Sequence, residues 1–112
     1  MINQLRVYAI PETIRDPFHA RFRDQARPIF ERHGFRIQAM WESRRDGKLL
    51  FVYLLVWHDE AEMKACWDRF MADEEWAEIK RVTAAQHGTF VDGIEELVLV
   101  PTAYSRAIGD TG

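Results

Sequence analysis

Arg6, Tyr8, Gln38, Tyr53 and Trp57 form the candidate ligand-binding set of this 112-residue chain. Strand periodicity places the first four as polar groups among apolar neighbours. A guanidinium stays charged at physiological pH, and its planar fork matches a carboxylate, phosphate or enolate oxygen. The two phenols can donate to a carbonyl or act as weak acids. A few polar groups in an apolar lining is the makeup of a small-molecule pocket. The plain alternative for Arg6 is an ion pair with Glu42 or Glu96 across a dimer.

Other chemistry is sparse. His19, His33, His58 and His87 are scattered, and no His or Cys pair has metal-ligand spacing. There is no glycine-rich phosphate loop and no nucleophile elbow. No metal or cofactor is therefore expected. Proton transfer would need a base, and only His58, His33, Glu42 or Glu96 could serve. The lone Cys66 excludes an internal disulfide and reads as a buried, inert thiol in a helix. A cytoplasmic location follows by default. No apolar run reaches membrane-spanning length, and no signal-peptide pattern opens the chain, so no membrane association is expected.

Charge is unevenly spread. Residues 1–48 carry ten Lys/Arg against six Asp/Glu, and residues 49–112 carry five against twelve. Opposite halves can attract within or between chains. The basic half lacks the Lys/Arg clusters with interleaved aromatics that favour nucleic acid, so none is expected as a partner.

Four strands and two helical regions must position these groups. Gln4 to Ile10 alternates, with Leu5, Val7 and Ala9 on one face and Gln4, Arg6 and Tyr8 on the other. Ile14, Phe18, Phe22, Ala26, Ile29 and Phe30 recur at helical spacing. Asp16-Pro17 suggests an N-cap with proline behind it, Pro28 a kink or split, and Gly34 the stop. Phe35 to Glu42 reads as a second strand. Asp46-Gly47 marks a hairpin into Leu49 to Trp57, a strand apolar on both faces. Asp59-x-x-Glu62 caps a helix with Met63, Cys66, Trp67 and Phe70 inward. Asp73 caps another with Trp76, Ile79 and Val82 inward, closed by Gly88. Ile94 to Val100 is the last strand.

The order β-α-β-β-α-β implies an α+β, ferredoxin-like fold: a four-stranded antiparallel sheet with helices on one face. One domain over residues 1–101 and a tail over 102–112 are expected. The alternation of the first strand suggests that Leu5, Val7 and the Leu50-Val52-Leu54-Val56 face meet the helices. Phe51, Tyr53, Leu55 and Trp57 would then lie on the open face, exposing roughly 600 Å² at about 150–200 Å² per aromatic. A second copy is the simplest cover, giving a barrel-like homodimer with a cavity between two sheets and room for higher oligomers. The face of Trp41 depends on register: a two-residue turn puts it with Val52, and a three-residue loop puts it with Phe51 and Tyr53.

The chain resembles the NIPSNAP family of the dimeric α/β-barrel superfamily. The resemblance lies in Gln4-Leu5-Arg6-x-Tyr8 with Pro11, then Pro28, His33-Gly34-Phe35, Trp41, Tyr53-Leu54-x-x-Trp57 leading into Ala61-Glu62, and Ala72-Asp73-x-x-Trp76. It spans roughly residues 3–80. The chain departs at Glu12 and Ala39, where glycine is frequent, at Tyr53 (histidine), at Met63 (arginine) and at Glu75 (proline). The resemblance implies the ferredoxin-like fold and a dimeric barrel. It implies little chemistry, because related barrels include cofactor-independent oxygenases, haem-handling proteins, isomerases and dehydratases. The expected function is a homodimeric barrel protein that binds a small apolar ligand bearing an oxyanion or carbonyl. A cofactor-independent oxygenase or isomerase and a non-catalytic assembly module are the alternatives, and whether the chain is an enzyme stays open.

Overall fold

A computed structural model describes residues 1–108. The part of the expected tail beyond residue 108 lies outside the described residues. Strand β1 (Ile2–Ile10) leads through a 3₁₀ turn at Glu12–Ile14 into α1 (Arg15–Arg21), a π turn (Phe22–Ala26) and α2 (Arg27–Arg32). Strands β2 (Ile37–Arg45) and β3 (Lys48–Trp57) follow, then α3 (Glu60–Met71), α4 (Glu74–His87) and β4 (Gly93–Leu99). The sheet is antiparallel, in the order β2-β3-β1-β4. This is the ferredoxin-like α+β fold expected from the element order.

Local chemistry explains the boundaries. Asp46 and Gly47 have φ of 53° and 76°, so the hairpin turns on two residues and pairs Arg45 with Lys48. Gly34, at φ 87°, ends the first helical region in a Schellman motif: Phe35 N–H donates to the Phe30 carbonyl and Gly34 N–H to that of Glu31. The Phe30 and Phe35 rings stack at 4.5 Å over the same turn. Asp59 and Asp73 cap α3 and α4 by accepting from the backbone N–H of Glu62 and Trp76.

One helix expectation is refined and one corrected. Residues 15–32 stay helical rather than splitting in two, and the irregularity expected at Pro28 takes the form of a π turn just ahead of it, which absorbs its missing N–H and its steric demand. Asp16 is no cap: the helix starts from Ile14 with no side-chain cap bond, and Asp16 sits in its first turn.

The larger correction concerns the faces of the sheet. Phe51, Tyr53, Leu55 and Trp57 pack into one buried cluster with Phe18, Phe22, Phe30, Phe35 and Phe70 from the helices. Tyr53, Leu55 and Trp57 are fully buried. Register puts Arg6 beside Tyr53 and Tyr8 beside Phe51, so they share that helix-facing side. The open side instead carries Leu5, Val7, Val52, Leu54, Leu97 and Leu99. Volume decides the arrangement. Large rings fill the gap between sheet and helices, whereas short branched side chains make the flatter outer surface. Trp41 pairs with Val52, as the two-residue turn requires, but that places it on the open side, half exposed.

Candidate functional site

The polar groups of β1 meet those of β3 and β4 beneath the helices. Arg6 is the hub. Its Nη1 donates to Glu96 Oε2 at 2.6 Å, its Nε to the Tyr53 hydroxyl at 3.4 Å and its Nη2 to the Tyr8 hydroxyl at 3.3 Å. Its guanidinium carbon also lies 4.3 Å from the centre of the Trp67 ring. Gln4 extends the network: Nε2 donates to Glu96, while Oε1 accepts the indole N–H of both Trp57 and Trp67. The Arg6–Glu96 pair therefore forms within the chain itself, not across an interface.

The two phenol oxygens are 2.6 Å apart. Each also accepts from Arg6, so one phenolic proton fills the bond between them and the other has no acceptor among the described residues. Tyr53 is fully buried, whereas Tyr8 lines a cavity. The shared proton is thus assigned to Tyr53, and the Tyr8 hydroxyl is left to donate into the cavity. Burial, reinforced by the neighbouring Tyr8, holds Tyr53 well above the usual phenol range, so it stays protonated. Burial works against the charge of Arg6, but the phenol oxygens of Tyr8 and Tyr53 outweigh it and hold the guanidinium above its usual range.

The cavity has a volume of about 300 Å³ and lies between the sheet and the helices, near β4. Arg6 and Tyr8 form its floor. Phe18, Phe30, Trp67 and Trp76 are among its rings, and Arg21 and Lys80 bring positive charge to its wall. This is not the chamber between two sheets expected from the sequence, but a pocket inside one chain. The inversion of the sheet faces carried Arg6, Tyr8 and Tyr53 with it, so they stay together on the other side.

The remaining expected residues go elsewhere. Trp57 is sealed in the core, tied to Gln4, and does not line the cavity. Gln38 is exposed on edge strand β2 at a register irregularity, where Ile37 rather than Gln38 pairs with Leu55. Of the candidate bases, only Glu96 joins this network. His33 binds Asp73 at 2.7 Å, and His58 is exposed just ahead of α3. Glu42 accepts from Arg15 and pairs with His19 on the wall of a separate groove. Among the described residues no group of three or more His, Cys, Asp or Glu is placed to hold a metal. No helix is long and apolar enough to cross a membrane.

Sequence reasoning missed Gln4, Arg21 and Phe90 as parts of the site. Arg21 had a signal: it stands three residues after Phe18 and one before Phe22, a cation on the buried stripe of the helix.

Comparison with known proteins bears on the same architecture. No protein of curated function matches the chain significantly. Among solved structures, an uncharacterized NIPSNAP domain protein from Burkholderia xenovorans superposes with a TM-score of 0.79 at 20% identity, covering 96% of this chain and all of the other. Protein Atu4242 from Agrobacterium tumefaciens gives 0.77 at 15% identity, covering 94% and 97%. A provisionally named antibiotic biosynthesis monooxygenase from Nitrosomonas europaea gives 0.59 at 12% identity, covering 90% and 98%. At these identities the likeness is one of fold. The sequence match goes further: the NIPSNAP family profile aligns with residues 3–106, from the strand that carries Arg6 and Tyr8 to beyond the one that carries Glu96, so the chain belongs to the NIPSNAP family.

Proposed function

We propose that the protein binds a small, mostly apolar molecule through a carbonyl or oxyanion, in the pocket between its sheet and its helices. The observation that carries this reading is the pair of phenol oxygens 2.6 Å apart, both bonded to Arg6, with Tyr8 on the cavity wall. With the shared proton assigned to buried Tyr53, the Tyr8 hydroxyl offers its own proton to an aromatic cavity. Arg6 polarises both phenols, and Tyr53 fixes the direction of the donor. The cavity is open rather than filled by its own side chains, which favours binding over a purely structural module.

The test is ligand-induced thermal stabilisation across a metabolite panel, repeated on Tyr8→Phe. The variant keeps the ring and loses the donor. Carbonyl or oxyanion ligands should bind it about tenfold more weakly, the value of one good hydrogen bond. Unchanged shifts in Tyr8→Phe and in Arg6→Ala would remove the anchoring role.

Two copies pairing through the open sheet face form the proposed assembly, supported by the apolar row Leu5, Val7, Val52 and Leu54 on the central strands. Cys66 is free and buried, which fits the reducing cytoplasm proposed as its location. Catalysis is the second reading, favoured by Glu96 beside Arg6 and by the fold shared with the Nitrosomonas protein. Oxygen uptake with hydroxyaromatic substrates, lost in Glu96→Gln, would support it, and no uptake across the panel would dismiss it.

A further inference from the structure

Arg21 is a cation on the pocket wall that the proposed reading leaves unused. It ends α1 and reaches across to α4. Its guanidinium carbon lies 4.1 Å from the centre of the Phe90 ring and 5.1 Å from that of Trp76. Nη1 donates to Thr83 Oγ1 at 3.0 Å, and that hydroxyl donates on to the Ile79 carbonyl at 2.8 Å. The threonine therefore positions the guanidinium while occupying only one of its five N–H donors.

The counterion is what Arg21 lacks. Arg6, in the same pocket, has Glu96, and Arg15, Arg32 and Arg36 each have a carboxylate within 4 Å. Arg21 has none among the described residues. Lys80, on the same wall, has none either and lies 5.9 Å from the Trp76 ring centre. Burial depresses the Arg21 pKa, a sign that its charge is poorly solvated. A methionine or leucine could fill this space without desolvating a charge. An arginine here makes sense if an anion completes it.

We propose that Arg21 is an anion-binding residue of this pocket and that the ligand is an apolar carboxylic acid, its carboxylate held between Arg21 and the Tyr8 hydroxyl and its body among the rings. The inference rests on the pocket reading given above and assigns that ligand its chemical class. One guanidinium can serve a carboxylate with two parallel N–H bonds. The apolar body can be aromatic or alkyl, and the two are separated by experiment.

The experiment is isothermal titration of the full chain with 2-naphthoic acid, octanoic acid and their primary amides at neutral pH. At least one acid should bind about tenfold more tightly than its own amide, as expected for a charge-assisted pair over a neutral one. Arg21→Gln, which can still reach Thr83, should bind acid and amide alike, and Arg21→Lys should recover part of the preference. Naphthoate favoured over octanoate means an aromatic body, and the reverse means an alkyl one. An amide that binds wild type as tightly as its acid, or a preference that survives Arg21→Gln, overturns the role of Arg21 and leaves the pocket reading intact. No binding by any of the four overturns both.

Discussion

Gln4 shows how a polar residue can hold a core together. It is 2% exposed, yet its carboxamide is well used: the oxygen accepts two indoles and the nitrogen donates to Glu96. Gln4→Leu would leave the sealed Trp57 N–H without an acceptor. We expect a loss of about 2–3 kcal/mol in urea unfolding, the cost of an orphaned buried donor with its lost bond. A change below about 0.5 kcal/mol, the range of neutral surface substitutions, would contradict this account. Alternation in β1 points Gln4, Arg6 and Tyr8 to the open face, because the apolar set Leu5, Val7 and Ala9 is expected to meet the helices. Here they satisfy one another beneath the helices. Pairing of that kind joins residues tens of positions apart, and periodicity carries no information about it.

At the scale of elements, carboxylates tie the helices to their surroundings. Glu42 on β2 is held by Arg15 and then His19 of α1, and its pKa falls to about 2. Asp73, at the start of α4, is held well below the usual carboxylate range by His33 and Arg32, with help from the Trp76 N–H. Both are depressed in the fold, so between these values and the ordinary range near 4 the unfolded chain binds more protons. The stabilisation is present above about pH 5 and fades as pH drops towards 2. Urea midpoints taken from pH 6 to 2.5 should fall steadily, and Glu42→Gln should flatten part of the slope. An unchanged midpoint across that range would mean that the ties do not hold in solution. Gly34 is another element-scale constraint. At φ 87° a side chain is strained, although a new Cβ would meet only Cys66 Sγ at 3.6 Å. Gly34→Ala should therefore cost about 1–2 kcal/mol from the backbone alone. The Asp59 and Asp73 caps, the place of the hairpin and the Gly34 stop were legible in the sequence, because each is set by residues within a few positions. The absence of a cap at Asp16 and the form of the irregularity at Pro28, a π turn, were not.

At the scale of the molecule, the open sheet face is the main unfinished surface. Trp41 is 50% exposed and Leu97 59%, beside half-buried Leu5, Val7, Val52 and Leu54. Such patches mark interaction sites, and a flat antiparallel face of this kind suits a second copy of itself. Sedimentation should give twice the chain mass at micromolar concentration. Leu54→Asp should give the single mass with the fold retained, because the aspartate faces solvent once the copies part. A wild-type chain that runs as a monomer would discard the pairing. The sequence by itself determined the order of elements, the antiparallel ferredoxin-like topology and the grouping of Arg6, Tyr8 and Tyr53, because local turn chemistry and strand parity suffice for these, and its spaced motifs pointed to the family. The length of the hairpin turn, and with it the register, stayed open until the structure fixed it. Only the tertiary structure decided which face of the sheet the helices cover. Both faces of β3 are apolar, so parity says which residues travel together but not where they go. That choice rests on ring volume, on the room between layers and on a polar network that closes only in three dimensions. It moved the candidate site from between two chains to the inside of one.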